Sequence, residues 1–172
     1  MGILLHNILA VLPQEQESSH AAGRFSNEKN TVKETDIYIE GSRIAAIGMK
    51  PSGFVADRVV DGKDRLAIPG LINCHTHSYM SFMRNVADDL SFMDWLFGSI
   101  DPIEQQMTDE DTYWGACLAI IEMMKSGTTC FNDMQMNIHQ TTRAVKESGM
   151  RAVISRGLVG SGNDEAGAMR LR

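Results

Sequence analysis

The sequence predicts an α/β protein, mostly β-strand before residue 66 and a parallel sheet with helices after it. Two observations support this fold class. The first part shows short alternating strands separated by turn residues. In the second part, apolar strand patterns alternate with helical patterns, which is typical of βαβ units with right-handed crossovers. We therefore divide the chain into an amino-terminal domain at 1–66 and a carboxyl-terminal domain at 67–172.

The amino-terminal domain begins with the apolar stretch MGILLHNILAVLP. This stretch lacks the basic start and the cleavage site of a signal peptide, so it predicts a first strand. TDIYIE at 35–40 and RIAAIG at 43–48 predict a hairpin whose two-residue turn begins at Gly41. VADRVVDGKDRLAIPG predicts two more short strands around an Asp-Gly turn. Residues 13–34 are rich in Gln, Glu, Ser, Asn and Lys and predict a long polar loop.

Three buried strands are predicted in the carboxyl-terminal domain: GLINCH at 70–75, TTCFNDM at 128–134 and RAVISRGLV at 151–159. IHQTTRAVKESG at 138–149 predicts the helix between the last two strands. Three βα units are too few to close an eight-stranded barrel, which takes about 250 residues. The residues alone therefore leave two possibilities, a small open sheet or the first part of a larger fold.

Two helix starts are marked by capping residues. Ser91 with Asp94 resembles a capping box, and Thr108 with Asp111 makes a better one. Gly127 is expected to end the helix that Thr108 begins. That helix carries an apolar stripe at the spacing of an amphipathic helix, formed by Trp114, Cys117, Leu118, Ile121 and Met124.

Composition limits the function. The formal net charge is −6 and no run of Lys or Arg stands out, which argues against nucleic acid as a partner. Three cysteines, an odd number without zinc-ribbon spacing, argue against a disulfide framework and for a reducing, cytoplasmic location. No apolar run reaches the ~20 residues that a membrane-spanning helix needs, so we expect no membrane partner.

His75 and His77 stand two apart at the end of the first predicted parallel strand. Alternate side chains of a strand share a face, so both rings, with Asn73 one step below, are expected on the same face. Neutral imidazoles bind zinc and similar metals, although a packed or surface pair is the alternative. A catalytic zinc usually has three protein ligands and a water. Asp133 and His139 are further candidates. For Asp133 a hydrogen-bonding role at a helix cap or in a loop is favoured, and for His139 a solvated helix position is favoured.

Four segments together resemble a known family: PGLINCHTHSYM, MRNVADDLSFMDWLFGSIDPIEQQMTDED, MMKSGTTCFNDM and GMRAVISRGLV. They resemble the amidohydrolase superfamily, and within it most closely the 5-methylthioadenosine/S-adenosylhomocysteine deaminases, which are related to the triazine chlorohydrolases. The resemblance runs from about residue 35 to about residue 165 and covers the amino-terminal portion of the family's chain. It implies the first three strands of a TIM-type (β/α)8 barrel, preceded by part of a small β-sandwich domain.

The resemblance also implies roles for individual residues. His75 and His77 match two ligands of one divalent metal, with zinc favoured over iron and manganese. Trp95 matches a residue that lines a nucleoside pocket, although plain core packing is the alternative. Glu104 matches an acid that binds ribose hydroxyls, with a solvated helix end as the alternative. Arg156 matches a base that reaches an amino-acid carboxylate; its buried-strand pattern asks for a carboxylate partner, which could be internal.

The function implied is metal-dependent hydrolytic deamination of an adenosine-type nucleoside, without an organic cofactor. No H-x-E motif occurs, so we expect no catalytic acid or base in these residues, and we expect the family's general acid beyond Arg172 of a truncated chain. Arg170 is the nearest counterpart of a second carboxylate-binding arginine, although the loop before it differs in length. The alternatives are a chlorohydrolase or another aminohydrolase, and a non-catalytic fragment or two-histidine binding module. Homo-oligomer formation is left open.

Overall fold

A computed structural model describes residues 1–12 and 31–157 of the 172-residue chain. The chain divides into two compact units, with the division between Pro69 and Gly70. In the described residues the first unit is built of strands, and the second alternates strands with helices. The predicted α/β fold class is therefore confirmed. Most of the predicted polar loop, the end of the last predicted strand and Arg170 lie outside the described residues.

The first unit is a single sheet. Its strands are β1 (Gly2–Leu12), β2 (Thr31–Glu40), β3 (Arg43–Ile47), β4 (Arg58–Asp61) and β5 (Leu66–Ala67). Their order is β3-β2-β1-β4, and β5 also pairs with β1. The predicted hairpin of β2 and β3 is confirmed, with antiparallel pairing and Gly41 at φ +59° in its turn. That left-handed conformation suits glycine, which has no Cβ to clash.

The polar loop predicted at 13–34 is wrong at its carboxyl end, because β2 begins at Thr31. Residues 31–34 pair antiparallel with residues 9–12 of β1. Their side chains are exposed, so backbone pairing with β1 forms this part of the strand and no buried face is needed. A prediction from apolar alternation misses such a strand, because none of these side chains is buried.

The second unit is built on a parallel sheet with the strand order β6-β7-β8. Its strands are β6 (Leu71–Thr76), β7 (Thr128–Gln135) and β8 (Arg151–Arg156). A 3₁₀ turn (Ser78–Met83), a π-helical segment (Asp94–Ile100), α1 (Asp101–Glu104) and α2 (Asp109–Lys125) lie between β6 and β7, and α3 (Ile138–Ser148) lies between β7 and β8. The predicted parallel sheet with helical crossovers is confirmed. Among the described residues, no helix has the length and apolar content needed to cross a bilayer.

Helix α2 begins as predicted but packs with another face. Thr108 forms a full capping box with Asp111. The predicted stripe is largely exposed, with Trp114 and Ile121 each 54% exposed. The buried face packs on Phe131 of β7 and contains Ala116, Ala119, Ile120 and Met123. Because α2 is apolar on both faces, spacing could not choose between them, and small alanines allow the closer approach to the sheet.

Candidate functional site

His75 and His77 lie side by side at the carboxyl end of β6. Their ring centroids are 5.0 Å apart and the ring planes meet at 87°. Nδ1 of His77 lies 2.7 Å from the backbone carbonyl oxygen of Met134. A carbonyl oxygen only accepts hydrogen bonds, so Nδ1 is the donor in this contact, and in the neutral ring Nε2 then has a free lone pair. This is how metal-binding histidines are commonly oriented, with one nitrogen held by a neighbour and the other open.

A β-bulge in β6 sets the direction of these side chains. Asn73 pairs with Phe131 and Thr76 pairs with Asp133, so three steps along β6 match two along β7. The register puts Asn73 on the same side as Phe131, which the helices cover. Asn73 and His77 nevertheless line one concavity, so the expectation that Asn73 shares the histidine face stays a prediction. The side-chain oxygen of Asn73 accepts a hydrogen bond of 3.2 Å from the backbone N–H of His75.

Asp133 holds the turn that follows the histidines. It is fully buried. One carboxylate oxygen accepts from the backbone N–H of Ser78 at 3.0 Å and from the hydroxyl of Thr76 at 3.1 Å. The other accepts from the hydroxyl of Ser78 at 2.5 Å. Both oxygens are thus engaged in positioning the turn, which agrees with the hydrogen-bonding role that the sequence favoured over metal binding.

The histidine pair is at most a partial metal shell. His139, at the start of α3, is exposed. Within residues 1–12 and 31–157, no three His, Cys, Asp or Glu side chains come together as a metal-binding group. A catalytic zinc normally has three protein ligands, so two imidazoles fit such an ion but do not complete its shell.

Three of the residues singled out from the sequence line one pocket. His77, Trp95 and Glu104 share a cavity of about 270 Å³ in the second unit. The other lining residues are Tyr79, Met80, Phe92, Leu96, Ile100, Met134, Gln135 and Met136. Apolar and aromatic walls with a few polar groups are typical of small-molecule sites.

A larger concavity of about 500 Å³ also reaches His77. It is wide open, and the bidentate ion pair of Arg84 and Glu122 lies on its wall. Both side chains of that pair are about half exposed, so the pair satisfies itself in water and needs no ligand. Trp95 and Glu104 do not line this larger concavity, whereas both line the smaller pocket. The smaller pocket is therefore the better candidate site.

Trp95 serves both the core and the pocket wall. It is half-buried and packs against a cluster that contains Tyr79, Met83 and Ile100. Its ring lies 6.1 Å from that of Phe92 between centroids. The backbone N–H of Trp95 donates to the carbonyl of Ser91 at 2.8 Å, at the predicted capping position. Core packing thus fixes a ring whose other surface lines the cavity.

Tyr79 donates a hydrogen bond from its hydroxyl to Oε1 of Glu104. Tyr79 is only 9% exposed. Burial, followed by the hydrogen bond to Glu104 and the negative charge there, raises the pKa of the Tyr79 hydroxyl. The phenol therefore stays protonated and remains a donor. Sequence reasoning missed Tyr79, and its position two residues after His77 was the available signal.

Arg156 is not where its sequence pattern suggested. The side chain was expected to be buried, and it is exposed. The reason is that β8 is the outer strand of the described sheet, so no neighbouring strand covers it. Arg156 pairs in register with Gln135, which does line the pocket. Gln135 is 2% exposed, and neither of its amide atoms has a hydrogen-bond partner among the described residues.

Comparison with known proteins gives the family. The model of the amidohydrolase family matches residues 66–170. A 5-methylthioadenosine/S-adenosylhomocysteine deaminase from Syntrophomonas wolfei is 43% identical over 169 residues, which are 98% of this chain and 37% of that protein. The chain thus spans little more than a third of this relative's length.

Two solved structures are also similar. An adenosine deaminase from Xanthomonas campestris with bound zinc is 31% identical, with a TM-score of 0.71 over 88% of this chain and 33% of that one. A triazine hydrolase from Arthrobacter aurescens is 22% identical, with a TM-score of 0.73 over 94% of this chain and 37% of that one, which shows a shared fold. The resemblance drawn from the four sequence segments is confirmed, and this chain belongs to the amidohydrolase family.

Proposed function

We propose that this chain supplies part of the active site of a metal-dependent hydrolytic deaminase. Its substrate is an adenosine-type nucleoside: methylthioadenosine, S-adenosylhomocysteine or adenosine. The observation that carries the proposal is that His77, Trp95 and Glu104 line one pocket. The 43% identity to a protein named as a deaminase of two such nucleosides supports the substrate class.

The three parallel strands are proposed to be the first strands of a (β/α)8 barrel, and the first unit to be part of a small β-sandwich. Parallel strands with helical crossovers are the repeating unit of such barrels. His75 and His77 stand at the carboxyl end of β6, which is the end at which barrel enzymes place their sites. We assign the general acid and the remaining metal ligands to the part of the family's fold that these 172 residues do not span.

The residues present fit a divalent metal as a partial shell. In the neutral ring of His77, Nδ1 donates to the carbonyl of Met134 and Nε2 keeps its lone pair, and the ring of His75 lies beside it. Imidazole suits zinc, and the similar adenosine deaminase was solved with zinc, so we favour zinc over iron and manganese. When bound, such an ion would supply the hydrolytic nucleophile by lowering the pKa of water towards neutrality.

The remaining residues would bind and orient the nucleoside. Trp95 offers an aromatic face to the purine. Glu104 offers carboxylate oxygens that accept hydrogen bonds from ribose hydroxyls. Arg156, exposed at the end of β8, would reach the amino-acid carboxylate of the larger substrate. The apolar residues of the pocket exclude water from the base.

A cytoplasmic location is proposed with this function. Cys74, Cys117 and Cys130 are all free thiols, and they are the three cysteines of the chain. Unpaired cysteines are typical of proteins from reducing compartments.

The proposal can be tested with a chimaeric protein, called the fusion below. In the fusion, these 172 residues replace the matching first part of the Syntrophomonas relative, whose remaining residues would complete the barrel. We expect the fusion to release ammonia from at least one of adenosine, methylthioadenosine and S-adenosylhomocysteine. His75→Ala or His77→Ala should lower kcat/KM by at least about 100-fold and reduce bound zinc, because each removes a ligand.

His139→Ala is the matched control, because this histidine is exposed and lies away from the pocket lining. It should leave activity and zinc content unchanged. Failure to release ammonia from any of the three nucleosides would contradict the proposed substrate class. Chloride release from a chlorinated triazine in place of ammonia would favour the chlorohydrolase alternative.

A further inference from the structure

We infer that Tyr79 is a positioning residue: by binding one carboxylate oxygen of Glu104, it aims the other oxygen at the hydroxyls of a bound sugar. This inference rests on the proposed role of Glu104 in binding the ribose. It adds a residue that supports the acid assigned to the ribose and is not itself a proposed metal ligand.

The contact joins two segments that are far apart in sequence. Tyr79 belongs to the 3₁₀ turn directly after the histidines, and Glu104 is the last residue of the short helix α1. The phenol hydroxyl donates to Oε1 of Glu104 across 25 residues of chain. Among the described residues, Oε2 of Glu104 forms no hydrogen bond or ion pair, so this oxygen stays available to a ligand.

Glu104 ends the helical stretch that the π-helical segment and α1 form together, and its side chain is long and flexible. Without a partner, such a side chain samples several rotamers, and fixing it costs conformational entropy. A carboxylate with one oxygen engaged loses most of its rotational freedom before the ligand arrives. Preorganisation of this kind raises affinity by lowering the entropy that binding costs.

Tyr79 itself is fixed from two sides. Helix α2 passes so close that a Cβ added at Gly115 would lie 2.4 Å from the carbonyl oxygen of Tyr79. On the other side, Asp133 binds the backbone N–H of Ser78, the residue before it. The ring is buried with Met83 and Ile100. The hydroxyl therefore occupies a defined position, from which it orients Glu104.

The test measures sugar recognition separately from catalysis. Inosine and 2′,3′-dideoxyinosine lack the amino group that is removed, so both can be titrated into the metal-loaded fusion by calorimetry without turnover. The fusion should bind inosine about 10 to 100-fold more tightly than 2′,3′-dideoxyinosine, as expected for hydrogen bonds from two hydroxyls to a charged group. We use the ratio of these two affinities as the measure of sugar recognition. Tyr79→Phe should lower this ratio to about 3 or less, and Glu104→Gln should do the same. The double variant should lower it no further.

Tyr113→Phe is the matched control, because its hydroxyl also donates to a glutamate, Glu147, but at the surface. It should keep the ratio of the parent fusion. If Tyr79→Phe does not fold, Gly115→Ala displaces the Tyr79 backbone without removing the hydroxyl and should also lower the ratio.

The outcomes separate the inference from the proposed function. An unchanged ratio in Tyr79→Phe, with a reduced ratio in Glu104→Gln, overturns the inference and leaves the proposed function intact. An equal loss of affinity for both ligands in Tyr79→Phe shows a merely structural role and also overturns it. A ratio near one in the parent fusion would mean that the sugar hydroxyls add no affinity. It would contradict both the proposed role of Glu104 and the inference about Tyr79. A fusion that shows the expected ratios without releasing ammonia supports the inference and contradicts the proposed function.

Discussion

Asp133 shows how one buried side chain sets the direction of the chain beside the histidine pair. Its two oxygens accept three hydrogen bonds, from Thr76 and twice from Ser78. Those two residues flank His77 in the sequence. The turn after β6 therefore follows from a carboxylate on β7, and the histidine between its anchors is held at the strand end.

We expect Asp133→Asn to destabilise this turn. An amide in place of the carboxylate keeps one acceptor and adds a donor, which would face groups that themselves donate. Leaving buried donors without acceptors costs about 1–3 kcal/mol. Urea unfolding of the 172-residue chain, followed by circular dichroism at low protein concentration, measures the change.

Asp109→Asn is the comparison, because Asp109 accepts from Asn137 and Gln140 at exposed positions. Its effect should stay within about 0.5 kcal/mol, as for other surface substitutions. Equal effects of the two substitutions would show that the hydrogen bonds of Asp133 do not set the stability of the turn.

The residues that could be predicted from sequence are those whose signal is local. His75 lies in β6 and His77 directly follows that strand, so their spacing alone predicted neighbouring rings. Tyr79 meets Glu104 across 25 residues, and Asp133 meets Ser78 across 55. These partners depend on tertiary packing, which in β6 includes a bulge that no local pattern predicts. The exposure of Arg156 likewise depends on which strands neighbour β8.

At the scale of elements, helix α2 depends on its cap for the start and on tertiary packing for its buried face. The Thr108 hydroxyl accepts a hydrogen bond from the backbone N–H of Asp111. The Asp111 carboxylate in turn accepts one from the backbone N–H of Thr108, so two donors at the start of the helix are satisfied. The choice of buried face instead came from the fit of small alanines to the sheet. Local chemistry was readable in the sequence, and the packing partner was not.

Thr108→Ala should lower the free energy of unfolding by about 1 kcal/mol, because a threonine N-cap contributes about that much. Thr108→Ser keeps the hydroxyl and should restore most of the loss. The measurement is urea unfolding of the 172-residue chain with both variants in parallel. Equal stability of the alanine and serine variants would mean that the hydroxyl bond does not stabilise α2.

The capping box also predicts a dependence on pH. The Thr108 hydroxyl, followed by the Thr108 backbone N–H, lowers the pKa of Asp111 below its ordinary value of 3.8. A lowered folded-state pKa means that this contribution is fully present above the ordinary value and is lost as pH falls through the lower value. The stability difference between the parent and Thr108→Ala should therefore shrink below about pH 4. A difference that stays constant down to pH 2 would contradict this account.

The parallel sheet of the second unit has one face that the described helices leave bare. Parallel sheets in stable proteins are covered on both faces. Helices α2 and α3 pack on the side of Phe131. On the other side, Ile72 is 67% exposed and Val153 is 62% exposed, and β6 and β8 both present strand edges within the described residues. A further layer of protein would bury this face, as the proposed barrel does.

We therefore expect the 172-residue chain alone to associate with itself, because exposed strand edges and apolar patches promote pairing between chains. Light scattering coupled to size-exclusion chromatography should show species larger than a monomer at concentrations of tens of micromolar. The net charge of −6 opposes association only weakly at physiological salt, where charges are screened beyond about 8 Å.

Substitutions on the bare face test this expectation. Ile72→Lys combined with Val153→Lys should shift the population towards monomer. Met49→Lys, at an 84% exposed position in the first unit, is the control and should not. A compact monomer in the unsubstituted chain would contradict the expectation. The fusion should not associate through this face even without the lysine substitutions, because its added strands would cover Ile72 and Val153.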